Sequence, residues 1–326
     1  MLVQSDSFDY AADLLPQGDG RGLVPGFAQD PAALRLATEL LGGAGPVRSV
    51  ELADRPWRHL LLTPWYPRSQ YDRMIELARE WPGLPDRVVC VAGAGEGFHG
   101  FKGRPWSAPP GNLYVIVHLA PGVPVERFET AFTVLAALSV VDAIDAVPGL
   151  AGRAGIEWVN DILVDDAKVA GVLAYTLTQS TTVASAVLGI GLNVRTAPTV
   201  EPTLFTPVAG ALRQLASGQE AATERGILER LMDALDRNYR ALLDEGYRAL
   251  LHRYRERSRV LGAQVAICRE DADSEPAVIA EGRVVAMGDG LELFFEDRDE
   301  PVMRGRLILN AGRVADLSPP TGSAGG

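Results

Sequence analysis

Apolar and polar positions change period several times along the chain, and each change marks an element. Ile162, Leu163 and Val164 form a short apolar run, Asp165 and Asp166 interrupt it, and Val169 to Tyr175 resume it. Two apolar runs about a two-residue polar break predict a β-hairpin. Val183 to Val194 is a further strand. Upstream, His59 to Leu62 predicts a strand that leads into a loop over Tyr66 to Gln70. Asp72 to Trp81 places Met74, Ile75, Leu77 and Ala78 at helical spacing, and Arg87 to Ala92 and Leu113 to Leu119 are apolar strands. Between those two strands runs a glycine-rich loop, Gly93 to Trp106. Val125 to Val147 is long and mostly apolar, as expected of a helix packed on a sheet. The pattern predicts an antiparallel or mixed sheet with helices on one face, an α+β fold.

The C-terminal third has two textures. Thr223 to Arg257 reads as helix, broken near Gly246, with apolar stripes through Leu235, Tyr239, Leu242 and Leu243 and then Tyr247, Leu250, Leu251 and Tyr254; both stripes are assigned to packing. After Ser258 come short strands, Gln264 to Cys268, Val278 to Met287, Leu291 to Phe295 and Pro301 to Leu309, with a Gly-Asp-Gly turn at 288–290. These predict a small SH3-like β-barrel. The first 55 residues are less patterned: Pro16 to Pro25 is loop-like and Pro31 to Leu41 is a short helix. The resulting division is an N-terminal extension of unknown role at 1–57, an α+β domain at 58–257, the SH3-like domain at 258–315 and a disordered tail at 316–326.

Composition narrows the partners. The chain has 326 residues, 31 Lys plus Arg against 42 Asp plus Glu, and a net charge of −11. That balance gives no global footprint for nucleic acid or an anionic membrane. The N-terminal stretch also lacks a helix pair with a basic recognition face. Cys90 and Cys268 are too few and too isolated for a disulfide framework or a metal site. The start lacks the basic region and apolar core of a signal peptide. The apolar stretch 131–147 is broken by Ser139, Asp142 and Asp145, so no transmembrane span is expected. A cytoplasmic protein is the expectation.

Asp161 and Lys168 flank the tight loop of the 162–176 hairpin, seven residues apart in sequence. A carboxylate and an ammonium so placed can serve chemistry or staple the hairpin. Their surroundings extend the pattern. Trp158-Val-Asn160-Asp161 and Lys168-Val-Ala170-Gly171-Val-Leu173 are followed by Leu188-Gly-Ile-Gly-Leu-Asn-Val194, and preceded by His99-Gly-Phe-Lys-Gly-Arg-Pro-Trp106 and Gly111-Asn-Leu-Tyr114. These blocks, in order and across roughly half the chain, resemble the Lys-Trp-Pro-Asn-Asp…Lys-(Leu/Val)-Ala-Gly hairpin, the Gly-x-Gly-(Ile/Leu)-Asn strand and the arginine-rich glycine loop of the biotin–protein ligases, within the biotin/lipoate ligase superfamily. The barrel at the C-terminus is similar to the domain that follows the catalytic domain in bacterial members.

The resemblance implies a two-step reaction: a carboxylate attacks the α-phosphate of ATP, and a lysine of a biotin carboxyl carrier domain then attacks the acyl-adenylate. It implies ATP and Mg²⁺ with biotin as substrate, and a homodimer among the assemblies to look for. By the same resemblance, Lys168 bridges the biotin carboxylate and the α-phosphate, and Asp161 orients the acceptor lysine. Gly100, Lys102, Gly103, Arg104, Trp106, Asn160 and Asn193 are then expected at the nucleotide, and Ser69, Gln70, Gly171, Gly189 and Gly191 at the acyl group. The metal ligands stay unassigned. Glycines at 97, 100 and 103 would permit positive φ and bring backbone N–H groups to a phosphate.

Departures from the family pattern are specific. Phe101 stands where the family has an arginine that helps retain the adenylate, which implies either leakage or an altered acyl specificity. Glu157 and Val159 replace the Lys and Pro of the hairpin motif. The Ser-Thr-Asn motif for the biotin ureido ring is absent, and of Arg68-Ser69-Gln70 only Ser69 and Gln70 offer similar polar groups. A lipoate/octanoate–protein ligase or transferase, or a degenerate ligand-binding relative, are the alternative readings. His118 could line the pocket or be a sheet histidine with its own partners.

Overall fold

A computed structural model describes the chain except for residues 17, 27–29, 201–204, 206, 207, 270–276 and 310–326. The tail expected over 316–326, and the end of the expected 258–315 domain, lie outside the described residues. Strands β1 (Leu2–Ser5), β2 (Val24–Pro25), β3 (Arg48–Glu51), β4 (His59–Thr63), β5 (Val88–Ala92), β6 (Leu113–Leu119), β7 (Ala154–Glu157), β8 (Asp161–Val164), β9 (Ala167–Gln179) and β10 (Thr182–Leu192) form one sheet. Its order is β2-β3-β1-β4-β5-β6-β10-β9-β8-β7. The β1–β4 and β4–β5 pairs are parallel and the rest antiparallel, so the sheet is mixed.

The helices are α1 (Phe8–Leu14), α2 (Pro31–Leu40), α3 (Gln70–Glu80), α4 (Phe128–Asp145), α5 (Leu212–Leu215), α6 (Glu224–Asp244) and α7 (Tyr247–Glu256). They cover both faces of the sheet, not the single face expected. Strand alternation explains why. In β4, Leu60 and Leu62 join the core with α4, while Leu61 joins Met74 and Leu77 of α3 and Leu36 and Leu40 of α2. Strands β4 and β5 are buried along their whole length, and such strands need cover on both sides. Helix α4 is apolar all round because it lies between the sheet and α6 and α7.

Residues 1–57 are built into the large sheet: β1 lies between β3 and β4. Helix α6 starts at an N-cap Thr223 whose hydroxyl accepts from Gly226 N–H, and Gly246 separates it from α7 with φ +89°. Leu243, expected in the stripe, is exposed, whereas Leu235, Tyr239 and Leu242 are buried. The second sheet, antiparallel with order β14-β13-β12-β11-β15, comprises β11 (Gln264–Cys268), β12 (Val278–Met287), β13 (Leu293–Phe295), β14 (Arg298–Val302) and β15 (Arg306–Leu309). The single strand expected over 301–309 is therefore two, divided where Gly305 takes φ +146°. Among the described residues, no helix is long and apolar enough to cross a membrane.

Candidate active site

One register row crosses four strands and makes the floor of a cleft. Asp161 of β8 pairs with Gly171 of β9, Gly171 with Gly191 of β10, and Gly191 with Tyr114 of β6. The row beside it holds Leu173, Gly189 and Ile116. Trp106 lies flat on the first row. A Cβ on Gly191 would come within 2.7 Å of its Cε2, and one on Gly171 within 3.0 Å of its Cζ3. The bare backbone of the two glycines is thus the seat of the indole. Gly189 has the same relation to Tyr71, 2.9 Å from a Cβ. The start of α3 and the loop 98–106 wall this cleft, which is open at its mouth. Gly191→Val is expected to lift Trp106 and reduce nucleotide-dependent turnover by roughly 10²-fold, the usual penalty for an ångström of misplacement. Nucleotide titration followed by tryptophan fluorescence checks it.

Lys168 reaches this floor through a bulge. Ala170 and Val172 face the α4 core, so unbroken alternation would send Lys168 the same way. The pairing shifts between Ile162 and Leu163, which leaves Val169 as an extra residue on the core side and turns Lys168 into the cleft. Its backbone is clamped on the open edge: Lys168 N–H donates to Val208 O, and Gly210 N–H donates to Lys168 O, each at 2.9 Å. Nζ donates to Asp161 Oδ2 at 2.5 Å and stands 5.4 Å from the Trp106 ring centroid. The other carboxylates of the turn, Asp165 and Asp166, pair instead with Arg153 and Arg259. Asn160 ties the corner to β9 by donating to Val172 O at 2.8 Å. Trp158 points away, donating to Leu291 O of the C-terminal unit at 2.7 Å.

At the other end, Ser69 caps α3, its hydroxyl accepting from Asp72 N–H. Gln70 donates its amide to Leu40 O at 2.7 Å, which fixes its orientation and leaves Oε1 buried, at the cleft, with no donor. Trp106 Nε1 is likewise buried without an acceptor. Two orphaned polar atoms of opposite sense in one cleft call for a ligand that carries an N–H or O–H and an acceptor. His99 anchors the loop to α3, with Nε2 2.9 Å from Asp72 and Nδ1 3.1 Å from Gly100 O. Burial disfavours its charge, yet these two acceptors hold its pKa above the ordinary range.

Glu157 lies directly across from Asp161 in the β7–β8 pair and is only 8% exposed. Burial, and then the Asp161 charge, push its carboxyl up to about 7 against the pull of Lys168 and Arg259. His118 is a buried sheet histidine, with Nδ1 2.8 Å from Pro85 O and Nε2 3.0 Å from Ser185 Oγ, and burial lowers its pKa.

Of the residues expected from sequence, the cleft gathers Ser69, Gln70, Gly100, Arg104, Trp106, Asn160, Asp161, Lys168, Gly171, Gly189 and Gly191. It does not gather Lys102, Gly103 or Asn193. Lys102 and Gly103 form the exposed loop tip, with φ +58° and +72°. Gly97 also has positive φ, but Gly100 does not; Lys102 takes the left-handed position instead. Asn193 is buried and donates to Gly210 O at 3.0 Å, so it supports the segment that clamps Lys168, while its Oδ1 is buried without a donor. Sequence reasoning missed Tyr71, Tyr114, Ile116 and Arg306 in the cleft. Tyr114 and Ile116 could have been found, since they alternate on the strand that follows the loop.

Residues 75–193 match the sequence profile of the biotin/lipoate A/B protein ligase family. The chain is 28% identical over 164 residues to the bifunctional ligase/repressor BirA of Bacillus subtilis, covering 50% of this chain and 49% of that protein. It is 31% identical over 132 residues to a biotin–[acetyl-CoA-carboxylase] ligase of Paracoccus denitrificans, covering 39% and 54%. It thus spans about half the length of the curated relatives it matches. The fold is similar to that of a biotin protein ligase from Aquifex aeolicus in complex with biotin and ATP, with TM-score 0.59 and 20% identity over 78% of this chain and 99% of that one.

Proposed function

We propose, from the match of residues 75–193 to the sequence profile of the biotin/lipoate A/B protein ligase family, that this chain is an ATP-dependent biotin–protein ligase. The observation that carries the proposal is Lys168 standing 2.5 Å from Asp161 on the cleft wall and 5.4 Å from the Trp106 ring centroid. In the first step the biotin carboxylate oxygen bonds to the α-phosphorus of ATP and pyrophosphate leaves. Two anions must meet, and the Lys168 ammonium, held in place beforehand, offsets their repulsion. Trp106 supplies a wall for adenine, with Gly100 and Arg104 at the phosphates. In the second step the acceptor lysine nitrogen bonds to the acyl carbon and AMP leaves; Asp161 is the carboxylate placed to orient that amine.

The orphaned Oε1 of Gln70 favours biotin over lipoate or octanoate, because a ureido N–H can pair with it and a dithiolane or alkyl chain cannot. Mg²⁺ enters as part of the Mg–ATP substrate. Asp161 is the only carboxylate lining the cleft among the described residues, and no group of three potential ligands occurs among them. The proposed acceptor is a carboxyl-carrier domain of a biotin-dependent carboxylase, and the use of ATP makes the cytoplasm the proposed location. In this scheme 58–257 carry the chemistry and 258–315 the SH3-like unit, with 1–57 extending the catalytic sheet.

Incubation with ATP, biotin and a carboxyl-carrier domain should add one biotinyl mass to one carrier lysine; no mass gain with an active preparation would count against the assignment. Phe101 is 47% exposed beside the cleft. Phe101→Arg should place a charge at the adenylate phosphate and slow its release by roughly tenfold or more, the effect of a charge-assisted hydrogen bond. Stopped-flow release of pre-formed acyl-adenylate measures this, and an unchanged rate would mean that the side chain does not reach the phosphate.

A further inference from the structure

Glu157 and Asp161 close the corner between β7 and β8, and the two steps above use only the second. Ala154 and Ile156 of β7, with Ile162 and Val164 of β8, belong to the core that contains α4, so alternation turns Glu157 and Asp161 together to the cleft side. They are a cross-strand pair, which sets their Cβ atoms roughly 5 Å apart. The three residues between them are pinned. Trp158 Nε1 donates to Leu291 O at 2.7 Å, Tyr254 Oη to Val159 O at 2.7 Å, and Asn160 Nδ2 to Val172 O at 2.8 Å. Glu157 does not line the cleft; it is buried beside Asp161, on the side away from Lys168. The charged groups around it are engaged elsewhere. Lys168 of β9 holds Asp161, and Arg259, whose Cδ would lie 2.5 Å from a Cβ on Gly155, donates to Asp166 at 3.0 Å. Among the described residues Glu157 has no ion-pair partner. Burial, and then the Asp161 charge, push its carboxyl up to about 7.

Acyl transfer needs the acceptor lysine as a neutral amine, and a lysine ammonium keeps its proton up to about pH 10.4. Asp161 Oδ2 is taken by Lys168, while Oδ1 lies over Gly171 on the cleft floor, 3.2 Å from where a Cβ would stand, and is free to meet that ammonium. An ordinary carboxyl falls short of the ammonium in proton affinity by about six powers of ten, the Glu157 carboxyl by about three to four. We propose that Glu157 is the proton acceptor of the transfer step and works through Asp161, which takes a proton from the acceptor ammonium and passes it on. The neutral amine nitrogen then bonds to the acyl carbon, the bond from that carbon to the phosphate oxygen breaks, and AMP leaves with the electron pair. The second proton of the nitrogen goes to water, and Glu157 gives up its own proton to water afterwards. Glu157 touches no substrate, so it is a positioning residue for the proton and Asp161 is the group in contact. The inference rests on the ligase reading above and deepens its second step.

The test uses the full chain as wild type, Glu157→Gln and Glu157→Asp, with biotinyl-adenylate supplied ready-made and a carboxyl-carrier domain as acceptor. Single-turnover acyl transfer, per bound adenylate, is followed against pH. In the wild type the rate should rise about tenfold per pH unit up to about 7, where Glu157 ionises, and then level off. In Glu157→Gln the rise should continue to about pH 10, where the acceptor lysine itself loses its proton. The deficit is therefore expected to be roughly 10²-fold at about pH 8 and to shrink about tenfold with each further unit. Glu157→Asp keeps a carboxyl and should restore the levelling. Transfer to hydroxylamine, an amine already neutral at that pH, should fall by less than about threefold in Glu157→Gln, because it has no proton to hand over first. Equal rates for wild type and Glu157→Gln near pH 8 would overturn the inference. So would a deficit that is the same at every pH or for both amines, which marks a purely structural role. If the wild-type protein transfers nothing from the adenylate, the ligase reading fails and this inference with it; transfer that ignores Glu157 refutes the inference alone.

Discussion

Lys168→Ala is expected to abolish acyl-adenylate formation, by roughly 10²–10³-fold or more, while leaving the fold intact. The side chain supports no core packing: it sits on the cleft wall with Asp161 and above Trp106. Its removal also leaves Asp161 facing the substrate carboxylate without a counter-ion, so the truncation adds repulsion to the lost attraction. Lys168→Arg should restore little. The bulge at Val169 fixes where the strand delivers the side chain, and a planar fork is not a point charge. Single-turnover formation of acyl-adenylate, with circular dichroism as the control for folding, decides the matter. Near-normal adenylation in a folded Lys168→Ala protein would remove the mechanism.

Glu157→Gln should change the pH dependence of stability. The folded carboxyl titrates at about 7, against an ordinary value of 4.5, so the native state binds the proton more tightly than the unfolded chain. The wild-type protein therefore loses stability as pH rises from the unfolded value through the folded one, and the loss is complete above about pH 7. Each tenfold difference in proton affinity between the two states is worth roughly 1.4 kcal/mol, so the expected span is on the order of 3 kcal/mol. An uncharged amide has no such slope. Relative to wild type, the variant should gain thermal stability as pH rises from about 5 to about 7 and level off above that, whatever the constant cost of the substitution. A difference in Tm that stays flat over that interval would mean that Glu157 does not keep its proton in the fold.

How much of this could be read from the chain differs by element. The hairpin was legible because Asp165 and Asp166 interrupt two apolar runs; Asp165 takes φ +53° there, which an aspartate tolerates in a tight turn. The break at Gly246 was legible for a similar reason. Strand β1 was not. Four residues are too few for a period, and the parallel partner β4 lies more than fifty residues away, so nothing local records the pairing. The division of 301–309 was hidden because Gly305 follows an arginine inside an otherwise strand-like run.

Within the site, the residues on local motifs were found and those set by long-range geometry were not. Lys168 was identified through a resemblance, but ordinary alternation would have pointed it into the core. Only the bulge explains its position, and a one-residue register shift leaves no mark in sequence. Asn193 follows Gly189 and Gly191 at strand spacing and so was expected to share their face. The strand ends at Leu192, and the side chain serves the Gly210 carbonyl instead. Arg306 belongs to a different sheet, and no spacing rule connects it to Lys168.

The most direct test of the account is ATP–pyrophosphate exchange by the purified protein, with biotin, lipoate and octanoate supplied separately. The account predicts exchange that depends on biotin and is absent with the other two, because only biotin offers an N–H to Gln70 as well as a carboxylate to Lys168. Exchange with lipoate or octanoate in place of biotin, or none with any of the three from folded protein, would contradict it.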